Sequence, residues 1–200
     1  GQPIPGIEMK LADDGEIMIK GESVFKGYYG NSDQSATSFD EEGWLMTGDV
    51  GEITDDGQLK IVDRKKDLII NAYGKNIAPS EIENKLKFSP FIKEGIVVGD
   101  GRQYLSALIQ LELDNVSDWA QENRIAYTTY KSLAENEEVK KLIQGEVDRI
   151  NEQLARVEKI RKFAILTKEL DQDDDEVTAT MKVRRSTIEK KFKGIIDSLY

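Results

Sequence analysis

Short alternating runs of apolar and polar residues, punctuated by turns, fill the first third of the chain. Ile17 and Ile19, two positions apart, mark a strand that ends at Gly21. Asp13-Asp14-Gly15 and Asp55-Asp56-Gly57 are turn sequences between strand-like runs, the mark of hairpins. A short helix is expected near 32–39 and a further strand over 59–63. After the charged cluster Asp63-Arg64-Lys65-Lys66-Asp67 come an apolar patch at 68–70 and a turn at 73–76.

From there the spacing becomes helical in places. Pro79 and Ser80 open a helix, with Ile82 and Leu86 on one face and Pro90 as its stop. Residues 96–99 and 104–113 read as strands joined by the turn Gly99-Asp100-Gly101. The clearest helix is 137–154, where Val139, Leu142, Ile143, Val147, Ile150 and Leu154 form one stripe. A strand over 162–167 and a last helix from about 184 to 199 follow, the latter presenting Ile188, Phe192 and Ile195 or Ile196. The run Asp171-Gln172-Asp173-Asp174-Asp175-Glu176 between them is expected to be a solvated loop, because like charges repel. It lacks the spacing of a calcium loop. This order of elements predicts an α+β fold with two parts, a β-rich stretch at 1–65 and a compact α+β domain at 66–200.

Composition narrows the chemistry. Hydrophobic residues make up 38% and charged residues 33%, enough for a core under a well-solvated surface. The net charge of 28 − 38 = −10 argues against a nucleic-acid-binding surface, while leaving room for a local basic site. There is no cysteine and no histidine. That excludes disulfides, thiolate or imidazole metal sites, a cysteine nucleophile and Ser-His-Asp chemistry. Any reaction runs on Lys, Arg, Asp, Glu, backbone dipoles or a bound cofactor. No apolar run approaches the roughly 20 residues of a membrane span, and no secretory signal is visible; a cytoplasmic protein is compatible with both. The opening Gly1-Gln2-Pro3-Ile4-Pro5-Gly6 reads as a cut inside a larger protein. Gly99-Asp100-Gly101 lacks the downstream glycine and helix entry of a dinucleotide-binding loop.

Four segments carry candidate chemistry: Gly43-Trp44-Leu45-Met46-Thr47-Gly48-Asp49; Asp63-Arg64-Lys65-Lys66-Asp67; residues 73–83, from Tyr73-Gly74-Lys75-Asn76 to Glu83; and Thr178-Ala179-Thr180-Met181-Lys182-Val183-Arg184-Arg185. Each alone is unremarkable: a turn, a solvated charge cluster, one lysine among 28 basic residues. In this order and at these spacings they resemble the C-terminal motifs of the adenylate-forming superfamily, which includes acyl-CoA synthetases, luciferases and peptide-synthetase adenylation domains. Residues 21–29, Thr37, Phe39 and Gly43-Trp44 resemble the family segment that leads into its Thr-Gly-Asp.

The resemblance implies an enzyme that joins a carboxylate to the α-phosphate of ATP and then passes the acyl group to the thiol of CoA, releasing AMP. Lys182 matches the catalytic lysine of the adenylating step. Asp49 matches the carboxylate that accepts from the ribose hydroxyls, and two acceptor oxygens suit two vicinal donors. Arg64 matches a second ribose or phosphate contact. Lys66 matches the hinge about which the C-terminal domain turns between two half-reactions. Gly74 and Lys75 lie in the loop that replaces Lys182 in the second, with Gly74 where the pantetheine arm passes close to backbone.

Thr178–Arg185 is similar to the form found in long-chain fatty-acid–CoA ligases, as are residues 104–109, a long helical insert at 115–154 and the ending with Ile188, Glu189 and Phe192. Ala179, Met181 and the Asp-rich run depart from that form and leave Lys182 in register. The resemblance makes residues 1–65 the end of a large AMP-binding domain and 66–200 its mobile C-terminal domain. It implies fatty acid, ATP and CoA as substrates and the rest of the N-terminal domain as partner. The Mg²⁺ ligands, the phosphate loop and the acyl tunnel are expected upstream, so no metal site is expected here. Peripheral contact with a membrane is compatible with a greasy substrate. Two alternatives stay open: adenylation of another acid or loading of a carrier protein, and a non-catalytic binding module.

Overall fold

Residues 1–200 are all described by a computed structural model, in which the chain divides into two units, Gly1–Leu68 and Ile69–Tyr200. The sequence pattern places the change of character between residues 65 and 66.

In the first unit, β1 (Ile7–Leu11), β2 (Glu16–Gly21), β3 (Leu45–Ile53) and β4 (Leu59–Arg64) form an antiparallel sheet in sequence order. The two Asp-Asp-Gly sequences supply the β1–β2 and β3–β4 connections. Helix α1 (Ser32–Thr37) lies between β2 and β3, and the side chain of Asn31 caps it by accepting from the Gln34 N–H. Buried apolar side chains are few here: Ile17, Met18 and Leu45. The chain leaves this sheet through a single 3-10 turn, Lys65–Asp67.

The second unit opens with a hairpin of β5 (Ile69–Ile70) and β6 (Asn76–Ile77), then α2 (Pro79–Leu86) with proline at its first turn. Its main sheet has the order β7 (Ile92–Val98), β8 (Leu105–Leu111), β9 (Ile160–Ile165). Strand β8 is antiparallel to β7 and parallel to β9, and all seven of its residues are buried. Such a strand is covered on both faces. Leu105, Ala107, Ile109 and Leu111 alternate onto one face, in a cluster with Ile82, Leu86, Val116, Leu133, Ile143 and Val147. That cluster draws on α2, α3 (Leu113–Glu122), α4 (Tyr130–Ala134) and α5 (Glu137–Asn151). Leu108 points to the other face, where it packs with Ile96, Leu166, Leu170, Val177 and Ile188. Helices α6 (Arg185–Lys191) and α7 (Lys193–Ser198) close the chain.

The helical insert at 115–154 is made of three helices, the third of which starts at Glu137 as the apolar stripe predicts. Helix α3 stops at Arg124, which takes φ +58°; Thr129 and Ser132 form a capping box at α4; and Asn136 caps α5 through Glu138 and Val139 N–H. The last helix is broken at Phe192. Bonds from Phe192 N–H to Ile188 and from Ile196 N–H to Phe192 continue across the break. The apolar spacing therefore runs through it unchanged, and a periodicity argument does not register it.

Candidate functional site

Thr47-Gly48-Asp49 is a bulge in β3 rather than a turn. Glu16 pairs with Val50 and Met18 with Met46, so three residues of β3 face the single Ile17 of β2. Gly48 adopts φ +72°, which only glycine takes at no steric cost. The bulge is held from inside: the Thr47 hydroxyl donates to the Ile17 carbonyl at 2.7 Å, and the Gly48 N–H donates to Glu16 Oε1 at 2.8 Å. Asp49 is thereby turned toward β4, where its Oδ1 accepts from Arg64 Nε at 2.8 Å. The structure brings these two predicted residues together as direct cross-strand partners.

Glu16, which the sequence did not single out, is buried beneath them. Its second oxygen takes Lys65 Nζ at 2.7 Å, and Lys65 also reaches Asp14 at 2.6 Å. The Lys65 ammonium beside it holds the Asp14 carboxyl below the usual range, and the hydrogen bonds that Lys65 donates to Asp14 and Glu16 raise its own pKa. This triad ties the residue before the predicted hinge, Lys66, to the sheet that carries Asp49. Lys66 is exposed in the 3-10 turn.

Gly74 and Lys75 sit in the five-residue loop of the β5–β6 hairpin. Buried Asn71 organises it: its Oδ1 accepts from Tyr73 N–H and Lys75 N–H, each at 3.0 Å, and its carbonyl from Gly74 N–H at 2.9 Å. Gly74 has φ +74°, and a Cβ built on it would meet nothing within 4 Å. Backbone conformation alone accounts for glycine there. The turn at 99–101 supports this hairpin, since Asp100 Oδ1 accepts from Ile70 N–H and the Arg102 carbonyl from Ala72 N–H.

Lys182 lies near the tip of a small hairpin. Val177 and Val183 form a bridge, Thr178 N–H donates to the Lys182 carbonyl at 2.8 Å, and Arg184 N–H donates to the Glu176 carbonyl at 2.8 Å. The turn is closed by Met181 in the left-handed region, φ +59°. The Lys182 side chain is exposed and forms no ion pair. Below it, Val177 is buried in the second cluster. Beyond it, Arg185 donates to the Val97 carbonyl at 2.6 Å and pairs with Glu83 at 2.5 Å.

The acidic run before this hairpin is not uniformly solvated. Residues 171–175 are exposed, but Glu176 is only 1% exposed. Its carboxylate accepts from Lys168 Nζ at 2.9 Å, from Lys191 Nζ at 3.4 Å and from Asp171 N–H at 3.0 Å. Asp174 pairs with the same two lysines, which hold its carboxyl below the usual range, Lys168 most strongly. Repulsion within the run is offset by cations that lie outside it in sequence. The sequence singled out none of Glu16, Asn71 and Glu176; the partners of Glu16 lie 32 and 49 positions away.

No group of three or more Asp or Glu side chains is arranged to hold a metal ion. No helix is long and apolar enough to cross a membrane.

The solved structures place this fold among adenylating enzymes. The adenylation domain of a carboxylate reductase from Mycobacterium chelonae superposes with a TM-score of 0.81 at 26% identity, over 98% of this chain and 31% of that one. Residues 66–200 match the AMP-binding enzyme C-terminal domain family, and the chain belongs to it. Among curated proteins, it is similar to the long-chain-fatty-acid–CoA ligase FadD15 of Mycobacterium tuberculosis, 38% identical over all of this chain and 33% of that protein. It is also similar to the long-chain-fatty-acid–CoA ligase ACSBG1 of Homo sapiens, 37% identical over all of this chain and 31% of that protein. The chain thus spans about a third of the length of these relatives.

Proposed function

We propose that this chain is the C-terminal part of a long-chain fatty-acid–CoA ligase. In the first half-reaction a fatty-acid carboxylate oxygen attacks the α-phosphorus of ATP and pyrophosphate leaves. In the second, the CoA sulfur attacks the acyl carbon and AMP leaves. The first step needs no general base, because a carboxylate is ionised above its pKa of about 4. It needs positive charge on the reacting oxygens and accurate positioning. A chain without histidine or cysteine is suited to that.

The observation that carries this reading is the Lys182 hairpin: an exposed, unpaired ammonium on a closed turn with a buried base. A long flexible stem lets that charge enter and leave a site. Asp49, aimed by the bulge and held by Arg64, supplies carboxylate oxygens for the ribose hydroxyls. Lys66 is the pivot, with Lys65 fixing one side of it. Gly74 and Lys75 present the loop used in the second half-reaction. The large part of the nucleotide and acyl site belongs to an upstream domain, whose end is the β-rich first unit. That unit carries exposed Ile4, Phe25, Tyr28, Tyr29, Ile53 and Ile61 over a small core, as a piece of a larger domain does.

The test is palmitate-dependent ATP–pyrophosphate exchange by the full-length enzyme and its Lys182→Ala variant. Loss of exchange by a factor of about 100 or more is expected, with thioester formation from supplied acyl-adenylate largely retained. Equal loss of both half-reactions would remove Lys182 from its role. A second reading, adenylation of another acid, is favoured by the likeness to a carboxylate reductase's adenylation domain. Exchange with an aryl or amino acid but not palmitate selects it.

A further inference from the structure

The Lys182 hairpin is too short to hold itself. One β-bridge and a few backbone bonds join its arms. Its tip includes a non-glycine residue in the left-handed region, Met181, and exposed Ala179 and Thr180. Its descending arm runs into Arg185, which is anchored to Glu83 and Val97. On the ascending arm the fixed point is Glu176.

We propose that Glu176, clamped by Lys168 and Lys191, is a positioning residue that sets the Lys182 hairpin for the adenylating step. This rests on the reading of Lys182 as the adenylating lysine. Glu176 holds the hairpin twice over. Its carbonyl accepts from Arg184 N–H across the hairpin base, and its carboxylate is fixed on three donors. The donors come from three places: Lys168 after β9, Lys191 at the end of α6, and Asp171 at the start of the loop. Burial works against the Lys168 ammonium, and its hydrogen bonds to Asp174 and Glu176 outweigh that and raise its pKa. Two lysines meet two carboxylates, so the cluster is neutral.

Burying a carboxylate is costly unless it is well paired, and a packed apolar side chain commonly stabilises as much or more. Stability alone is therefore a poor reason for a glutamate here. Directional bonds add what packing next to Val177 does not. They fix the height and twist of the ascending arm, on which Thr178 N–H pairs with the Lys182 carbonyl across the turn. An error of 1 Å at a reacting group costs up to about 100-fold in rate.

The experiment uses the full-length enzyme with Glu176→Gln, which keeps the shape and removes the charge, and Lys191→Met, whose side chain is 39% exposed in the parent. Three readings are taken for each: palmitate-dependent ATP–pyrophosphate exchange, thioester formation from supplied acyl-adenylate, and melting temperature. Expected is a fall in exchange of about 10- to 100-fold, with thioester formation within about twofold and pyrophosphate exchange restored in Glu176→Asp more than in Glu176→Ala. If Glu176→Gln does not fold, Lys191→Met must show the same split. Wild-type exchange in a folded Glu176→Gln protein overturns the proposal, as does an equal fall of both half-reactions with a lowered melting temperature. Lys182→Ala is run alongside. If it abolishes exchange while Glu176→Gln does not, only the positioning role fails. If it leaves exchange intact, the reading of Lys182 fails and the positioning role with it.

Discussion

Tyr130 illustrates how a single side chain couples packing to pH. It opens α4, packs against the main cluster, and its hydroxyl oxygen accepts from Leu111 N–H at 3.0 Å. Burial pushes its phenol up to about 12, because a phenolate there would lose its water. The folded value lies above the unfolded one, so this contribution is fully present below about pH 10. It is lost as pH rises toward about 12, with a slope of about 1.4 kcal/mol per pH unit. Urea unfolding between pH 9 and 12 checks this. The fall in stability is expected to be shallower by roughly that slope in Tyr130→Phe, whatever fixed cost the unpaired Leu111 N–H adds. Parallel curves would contradict it. At this scale the sequence singled out residues that stand in an ordered motif, and the structure pairs two of them, Asp49 and Arg64. The sequence was silent where a residue matters through a remote partner. Glu16 meets Lys65 across 49 positions, and nothing near Glu16 announces it.

At the scale of elements, turns and helix ends decide what periodicity leaves open. Helix α3 ends in a full Schellman arrangement: Ile125 N–H donates to the Ala120 carbonyl at 2.8 Å and Arg124 N–H to Gln121 at 3.0 Å. The left-handed position is occupied by exposed Arg124 instead of glycine. That conformation costs an L-residue about 1–2 kcal/mol, against which glycine's greater chain entropy costs roughly 0.5–1 kcal/mol. Arg124→Gly is thus expected to stabilise the protein by about 0.5–1 kcal/mol, read as a higher urea midpoint at unchanged slope. A lower midpoint would mean that Arg124 makes a contribution the φ argument omits. The same residue explains what the sequence left open: without a glycine at 124 nothing marks the end of α3 inside the helical insert. Helix α2 had its proline at the first turn and was legible for that reason.

At the scale of the whole chain, the distribution of buried side chains predicts which part folds alone. Every residue of both hydrophobic clusters lies in Ile69–Tyr200. Strand β8 is buried along its length between them, and the sheet, its covering helices and the Lys182 hairpin all close within that unit. The first unit buries only Ile17, Met18 and Leu45 among its apolar residues. At about 25 cal/mol per Å² of apolar surface, three side chains stabilise by less than about 10 kcal/mol, while ordering tens of residues costs far more. Residues 69–200 expressed alone are therefore expected to melt cooperatively with dispersed amide resonances. Residues 1–68 alone are expected to give the narrow spectrum of an unfolded chain. A folded 1–68 would show that its sheet needs no larger domain, and would undercut the reading of the first unit as the end of one. An unfolded 69–200 would mean that its two clusters are insufficient without the preceding sheet. The α+β class was readable in advance because strand and helix periods alternate along the sequence. The imbalance between the units was not, because Ile4, Ile53 and Ile61 are as apolar as any core residue and only the fold leaves them exposed.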